Sequence, residues 1–265
     1  MPLNQPQFTA QVLRVAAGLM IALPASASTT IFFEDFSGAA GQLGGQAPTI
    51  GTGTWSTPTY VEKSGSGSSN AIQGASTNSL AFTLEAGNIY TLSADFRAQS
   101  PSSTSSKYAG IGFFNETSPT FTAFPSLGPE TPWMFLRTQN NAANQGDMSL
   151  RPLGTDISGY SAIDSSFDVT VTRNYSLVLD TTASEYTLSL FVDDVQYGST
   201  FTYSEAESIG LLSSITGVGF TTSTSSAPGV IYDNFSLTSV PEPSTWALIL
   251  GASTLAIAII RKRRR

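Results

Sequence analysis

Two residue types are missing from this chain of 265 residues: cysteine and histidine. Without histidine no Ser-His-Asp or Cys-His nucleophile system can be assembled, and without either residue there is no imidazole or thiolate metal site. No disulfide can form, and a domain of this length does not need one, because its core is large enough to hold it. Charge is also scarce, at 12% of residues. Between Ser28 and Ser239 there are 18 acidic residues against 6 basic ones, a net charge of −12 that the whole-chain value of −7 understates. Such a surface repels nucleic acid and anionic membrane, and it attracts calcium or stays soluble. Paired carboxylates remain possible. Sandwich-fold glycoside hydrolases carry Glu-x-Asp-x-Glu on one strand, where alternation puts three carboxylates on one face. That triplet is absent. Glu205-Ala206-Glu207 has the spacing but reads as a solvated polar connection, so glycosidase chemistry is not expected.

What is present begins with alternation. In Ile89 to Arg97, Tyr90, Leu92, Ala94 and Phe96 alternate with Thr91, Ser93, Asp95 and Arg97, the period of a half-buried strand. Phe167, Val169 and Val171 alternate in the same way. So do Tyr175, Leu177 and Leu179 and, after the polar turn Asp180 to Ser184, Tyr186, Leu188, Leu190 and Val192. Asp193-Asp194 reads as a turn before a strand over Gly198 to Tyr203. Further strands are expected at Thr30 to Phe33, Ser79 to Leu84, Gly110 to Phe114, Trp133 to Thr138, Gly217 to Thr221 and Val230 to Leu237. No stretch longer than about ten residues shows a helical period between Ser28 and Ser239. No linker or internal repeat divides those 212 residues (239 minus 27). The expectation is one all-β domain, an antiparallel two-sheet sandwich of jelly-roll type.

The two ends differ from this middle. Arg14 precedes an apolar stretch from Val15 to Leu23, then Pro24 and Ala25-Ser26-Ala27, the small-x-small pattern of a signal peptidase site. A signal helix over residues 1–27, cut after Ala27, is expected. At the other end, Val240-Pro241-Glu242-Pro243-Ser244-Thr245 leads into the apolar run Trp246 to Ile260, and the chain stops at Arg261-Lys262-Arg263-Arg264-Arg265. The run of 15 residues extends about 22 Å as a helix against a hydrocarbon core of roughly 30 Å, a short single span that snorkelling side chains can lengthen. The basic cluster sets its orientation, tail in the cytoplasm and everything before Pro243 outside. Pro241 and Pro243 push Val240 and Glu242 toward extended conformations, leaving a non-helical segment a protease can bind as a strand.

That order of proline-framed glutamate, short apolar span and arginine cluster resembles the PEP-CTERM sorting signal of exopolysaccharide-producing Gram-negative bacteria. No Leu-Pro-x-Thr-Gly precedes the span, and a GPI signal would end in its apolar tail. The resemblance implies an exosortase partner acting near Pro241-Glu242-Pro243. It also implies passage through the inner membrane and delivery to the cell surface or extracellular matrix. Domain bounds follow: signal peptide 1–27, ectodomain 28–239, sorting signal 240–265. A broader likeness rests on Phe32-Phe33-Glu34-Asp35-Phe36, the hairpin Tyr186 to Tyr197 and Ile231 to Leu237. These resemble concanavalin A-like lectin domains and galactose-binding jelly rolls, with sugar contact as the implied habit.

Two candidate sites complete the sequence reading. Asp35 shares parity with Ile31 and Phe33, and Asp233 with Ile231, Phe235 and Leu237, so both are expected to point inward unless a bulge intervenes. An inward carboxylate is costly unless paired, hydrogen-bonded or bound to a cation. Glu34, Asp35 and Asp233 are therefore a candidate structural Ca2+ site, with a bulge whose aspartates cap turns as the alternative. For a sugar face the stacking candidates are Trp55, Tyr60, Tyr108 and Tyr160, of which Trp55 reads equally as core, whereas Trp133 reads as core alone. No other cofactor is implied. The function expected is a secreted, non-catalytic surface or matrix protein associated with exopolysaccharide. A carbohydrate-binding module is the competing class, with a glycoside hydrolase behind it.

Overall fold

Strands that are apolar on every second residue can bury that row only by packing against a second layer, and the chain does so with two antiparallel sheets. The structure, a computed structural model, describes residues 27–56, 61–63, 69–71, 74–98, 108–115, 131–138, 145–153, 164–224 and 230–242. The larger sheet runs in the order β13 (Val195–Thr202), β12 (Thr187–Val192), β11 (Arg173–Asp180), β6 (Asn88–Ala98), β15 (Val230–Pro241), β4 (Ser69–Ala71), β3 (Val61–Lys63) and β2 (Gly41–Gln42), and β1 (Thr29–Glu34) also pairs with β15. The second sheet runs β10 (Asp164–Asp168), β9 (Gln145–Arg151), β8 (Trp133–Thr138), β7 (Tyr108–Phe114), β14 (Gly217–Thr224) and β5 (Gly74–Ala81). Every pairing between these strands is antiparallel. The described residues form one compact unit, Ala27–Glu242.

Register carries the buried rows from strand to strand. Leu92 pairs with Leu177 on one side and Leu237 on the other, Ala94 with Tyr175, and Leu177 with Leu190, all of them fully buried. Ile111, Met134, Met148, Leu150, Val218 and Phe220 meet them from the second sheet. Each such leucine contributes about 1.5–3 kcal/mol by leaving water. An aromatic group sits at the centre. Trp55 lies 5.4 Å from Phe220 and 5.2 Å from Phe235, both edge-on, and Phe96 stacks between Tyr175 and Tyr232 at 4.1 and 4.9 Å. The buried Tyr232 hydroxyl ties the layers together: it accepts from Gly110 N–H at 2.8 Å and donates to Thr221 C=O at 2.7 Å. Burial pushes that phenol well above its ordinary pKa, so it remains a donor. On β14, Gly219 runs against β5 so closely that an added Cβ would stand 1.8 Å from the Asn78 carbonyl oxygen.

Several connections correct the sequence reading. The expected strand Phe167 to Val171 ends at Asp168, whose carboxylate takes the N–H and hydroxyl of Thr170 and turns the chain, leaving Val171 43% exposed. Glu205 and Glu207 are not in a loop. They open α1 (Glu205–Ser214), where Ser204 and Glu207 form a reciprocal capping box. At Asp193-Asp194 the hairpin does turn as expected, with φ of 48° and 65° in a two-residue connection.

Candidate functional site

The candidate calcium residues split between two faces of the larger sheet. A register shift between Thr30 and Phe32 reverses the expected parity of β1, so Phe32 and Glu34 are buried while Ile31, Phe33 and Asp35 are only partly covered. Glu34 is the inward carboxylate, and its partner is a cation of the protein: Lys63 Nζ stands 3.0 Å from Oε1, with side-chain exposures of 8% and 0%. Phe36 donates its N–H to the same oxygen at 2.7 Å, and Trp55 Nε1 approaches Oε2 at 3.4 Å. This satisfies the group and explains the left-handed Phe36 (φ 52°), whose ring turns into the core 5.8 Å from Phe220.

Asp35 lies outside this nest, accepting from Ser37 N–H and Thr49 Oγ1 at 3.0 Å each, and the Ser37 N–H leads in lowering its pKa. Asp233 is turned away from the core by a bulge on β15 between Asp233 and Ser236, where Asn234 takes φ 49°. There β15 also changes neighbours on one edge, from β4 at Ile231–Tyr232 to β1 from Phe235 onward. Asp95, which the sequence reading did not single out, completes the surroundings. Its two oxygens accept from Asn174 Nδ2 and Asn234 Nδ2, both at 2.8 Å. Burial, then the charges of Asp95 and Asp35, raise the pKa of Asp233. Glu34, Asp35 and Asp233 thus do not converge, and among the described residues no group of three or more carboxylates could hold a metal ion. The outer face carries instead a hydrogen-bonded row, continued by Ser176 to Asn174 at 2.9 Å and Ser93 to Ser236 at 2.8 Å.

The aromatic candidates fare differently. Trp55 is 1% exposed at the centre of the core and cannot stack on a sugar from solvent. Of the two readings that Gly53-Thr54-Trp55-Ser56 left open, the structure shows the core one, with the ring pointing in. Tyr60 and Tyr160 lie outside the described residues, and Tyr108 opens β7 with its side chain outside them. Trp133 is buried as expected, but on the other side of its sheet from the main core, beside Phe135 at 5.2 Å and under the Arg151 guanidinium at 5.2 Å. A cavity of about 290 Å3 opens between Leu153 and the α1 residues Ala206, Glu207, Gly210 and Leu211.

The segment expected to be a sorting motif is the third locus. Val240 and Pro241 are the end of β15, paired with Ile89 and Asn88, and Glu242 N–H donates to Gly87 C=O at 2.9 Å. The ladder therefore runs beyond the expected ectodomain boundary at Ser239, and the motif backbone is not loose up to Glu242. Ala27 is exposed just ahead of β1, and Thr29 pairs with Ser239, so the described chain enters and leaves at one end of the sheet. Ala25, Pro243, the span 246–260 and Arg261, Lys262, Arg263, Arg264 and Arg265 lie outside the described residues. Among the described residues no helix is long and apolar enough to cross a membrane.

The fold and these surfaces define a lectin-like, all-β jelly-roll sandwich of antiparallel sheets. Solved structures of the same architecture include an endo-1,3-beta-glucanase from Streptomyces sioyaensis, at 16% identity, TM-score 0.53, with 82% of this chain and 98% of that chain covered. A lectin from Bauhinia forficata in complex with GalNAc is similar at 13% identity, TM-score 0.50, covering 81% and 99%. An endo-acting O-glycanase of the human gut microbiota is similar at 12% identity, TM-score 0.50, covering 80% and 99%. No protein-family profile and no curated protein sequence matches the chain. At these identities the likeness is one of fold.

Proposed function

We propose that this protein is an exported, non-catalytic surface or matrix component, a β-sandwich handed to the cell exterior by an exosortase and placed within exopolysaccharide. The observation that carries the reading is where the two ends of the expected ectodomain lie. The expected signal cleavage site at Ala27 and the Val240–Glu242 segment stand at the two ends of a single folded unit, close to the Thr29–Ser239 pair. The absence of histidine and cysteine supports a non-catalytic role, and the commitment of Glu207 to the α1 cap removes the carboxylate pair with the best spacing.

The test is export of the full chain in a Gram-negative host with and without its exosortase. Tail-free protein in the medium only when the enzyme is present is the expected result; equal release from both hosts defeats the sorting reading. A second reading, binding of a defined glycan, is favoured by the lectin whose fold this chain shares and whose structure holds GalNAc. Selective, saturable binding on a glycan array replaces the purely structural role with that one. Release of reducing sugar from polysaccharide would convert the protein into an enzyme.

A further inference from the structure

The sequence presents Val240-Pro241-Glu242-Pro243 as an open segment, whereas the fold holds the first three of these residues in a ladder. Val240 pairs with Ile89 and Pro241 with Asn88, and the Glu242 N–H is bonded to Gly87 C=O. Backbone groups in an antiparallel strand face its two neighbours in turn. Since the Glu242 N–H faces β6, so does that of Val240, and the missing N–H of Pro241 falls on the opposite side, where it costs no bond to β6.

The receiving edge is itself fixed. Thr181, 1% exposed, accepts from Gly87 N–H through its carbonyl and from Asn88 N–H through Oγ1, and its Oγ1 contacts the carbonyls of Asn88 and Glu85 at 2.7 and 3.0 Å. The Thr181 N–H also donates to Asn88 C=O at 2.9 Å. The end of β15 thus rests on a reinforced strand start rather than on a fraying one. A processing enzyme that takes its substrate as an extended strand needs the same backbone groups that this ladder occupies.

We infer that the sandwich itself selects the bond that is cut: the chain through Glu242 is shielded, and cleavage falls beyond Glu242, so the mature protein keeps Val240-Pro241-Glu242 on β15. This rests on the sorting reading. One peptide C–N bond breaks, the acyl half passes to water or to an acceptor nucleophile at the surface, and the amine half leaves on the basic tail with the proton. The Thr181 contacts make that residue a positioning residue for the shield.

Two measurements on the full chain decide the matter. Residue-resolved hydrogen exchange in micelles is expected to show the Val240 and Glu242 amides exchanging at least about tenfold more slowly than unprotected amides, with Thr181→Val accelerating Glu242. Unprotected exchange at both amides overturns the shield whatever happens in cells. Mass spectrometry of the C-terminal peptide released in an exosortase-bearing host is expected to end at Glu242 or later. A product ending at Ser239, Val240 or Pro241 overturns the inference and leaves sorting intact. A chain that emerges uncut removes both.

Discussion

Replacing Lys63 by methionine probes the interior charge pair with little change in side-chain volume. The substitution removes the ammonium 3.0 Å from a fully buried carboxylate and leaves Glu34 with the Phe36 N–H at 2.7 Å as its close donor. Breaking a buried pair from one side costs about 3–5 kcal/mol. The surviving donor places the loss at the lower end, about 3 kcal/mol, and for a domain this size each kcal/mol moves the melting temperature by roughly 2–4 °C. A fall of about 6–12 °C is expected in thermal unfolding of the full chain followed by circular dichroism. Glu34→Gln in the same background should recover most of it, because the uncompensated charge is gone. The difference should persist in high salt, since a buried pair is screened far less than an exposed one. A loss below about 1 kcal/mol, or one that disappears in high salt, would be the behaviour of a surface pair and would rule out an interior one.

Other consequences are equally direct. Tyr232→Phe leaves Gly110 N–H and Thr221 C=O without the hydroxyl between them, an expected loss of about 1–3 kcal/mol in urea unfolding; an unchanged midpoint counts against the bridge. Gly219→Ala drives a Cβ into the Asn78 carbonyl, so a loss of about 1–3 kcal/mol or failure to fold is expected, and wild-type stability would contradict the close approach. Asp233 has a raised pKa, so the folded state binds its proton more tightly than the unfolded state and loses stability as pH rises through that titration. Asp233→Asn, which keeps an acceptor for the Asn234 N–H, should therefore be more stable than wild type at neutral pH. The gap should close as pH falls toward and below 3.8, and a gap that widens on acidification is the opposite sign.

The strands that alternate most cleanly are legible in the residue pattern alone. Tyr90 to Phe96, Tyr175 to Leu179 and Leu188 to Val192 are buried on the expected side because hairpin geometry keeps period and register together. Alternation fails as a guide where one residue is inserted or a ladder moves. The shift at Thr30/Phe32 exchanges Asp35 for Glu34 as the inward carboxylate, and the bulge at Asp233–Ser236 turns Asp233 outward. The capping residues Ser204 and Glu207 stand in the sequence as the signal of a short helix, hidden by the weak periodicity of Glu205–Ser214. Met148 and Leu150 belong to β9, whose alternation is too brief to separate from a loop. Lys63 carries no sequence signal at all.

The all-β class follows from the residue order alone, because a period of two leaves a chain no other way to bury its apolar residues. So does the chemistry that is unavailable, since a side chain that is absent cannot be supplied by folding. That Glu34 meets Lys63, that Trp55 belongs to the core, and that Val240 to Glu242 lie along β6 emerge with the folded chain. Each of these depends on residues far apart in the chain, and their meeting is set by strand register. Register is a property of pairs of strands, and one slip of a single residue reverses the face on which every later side chain falls.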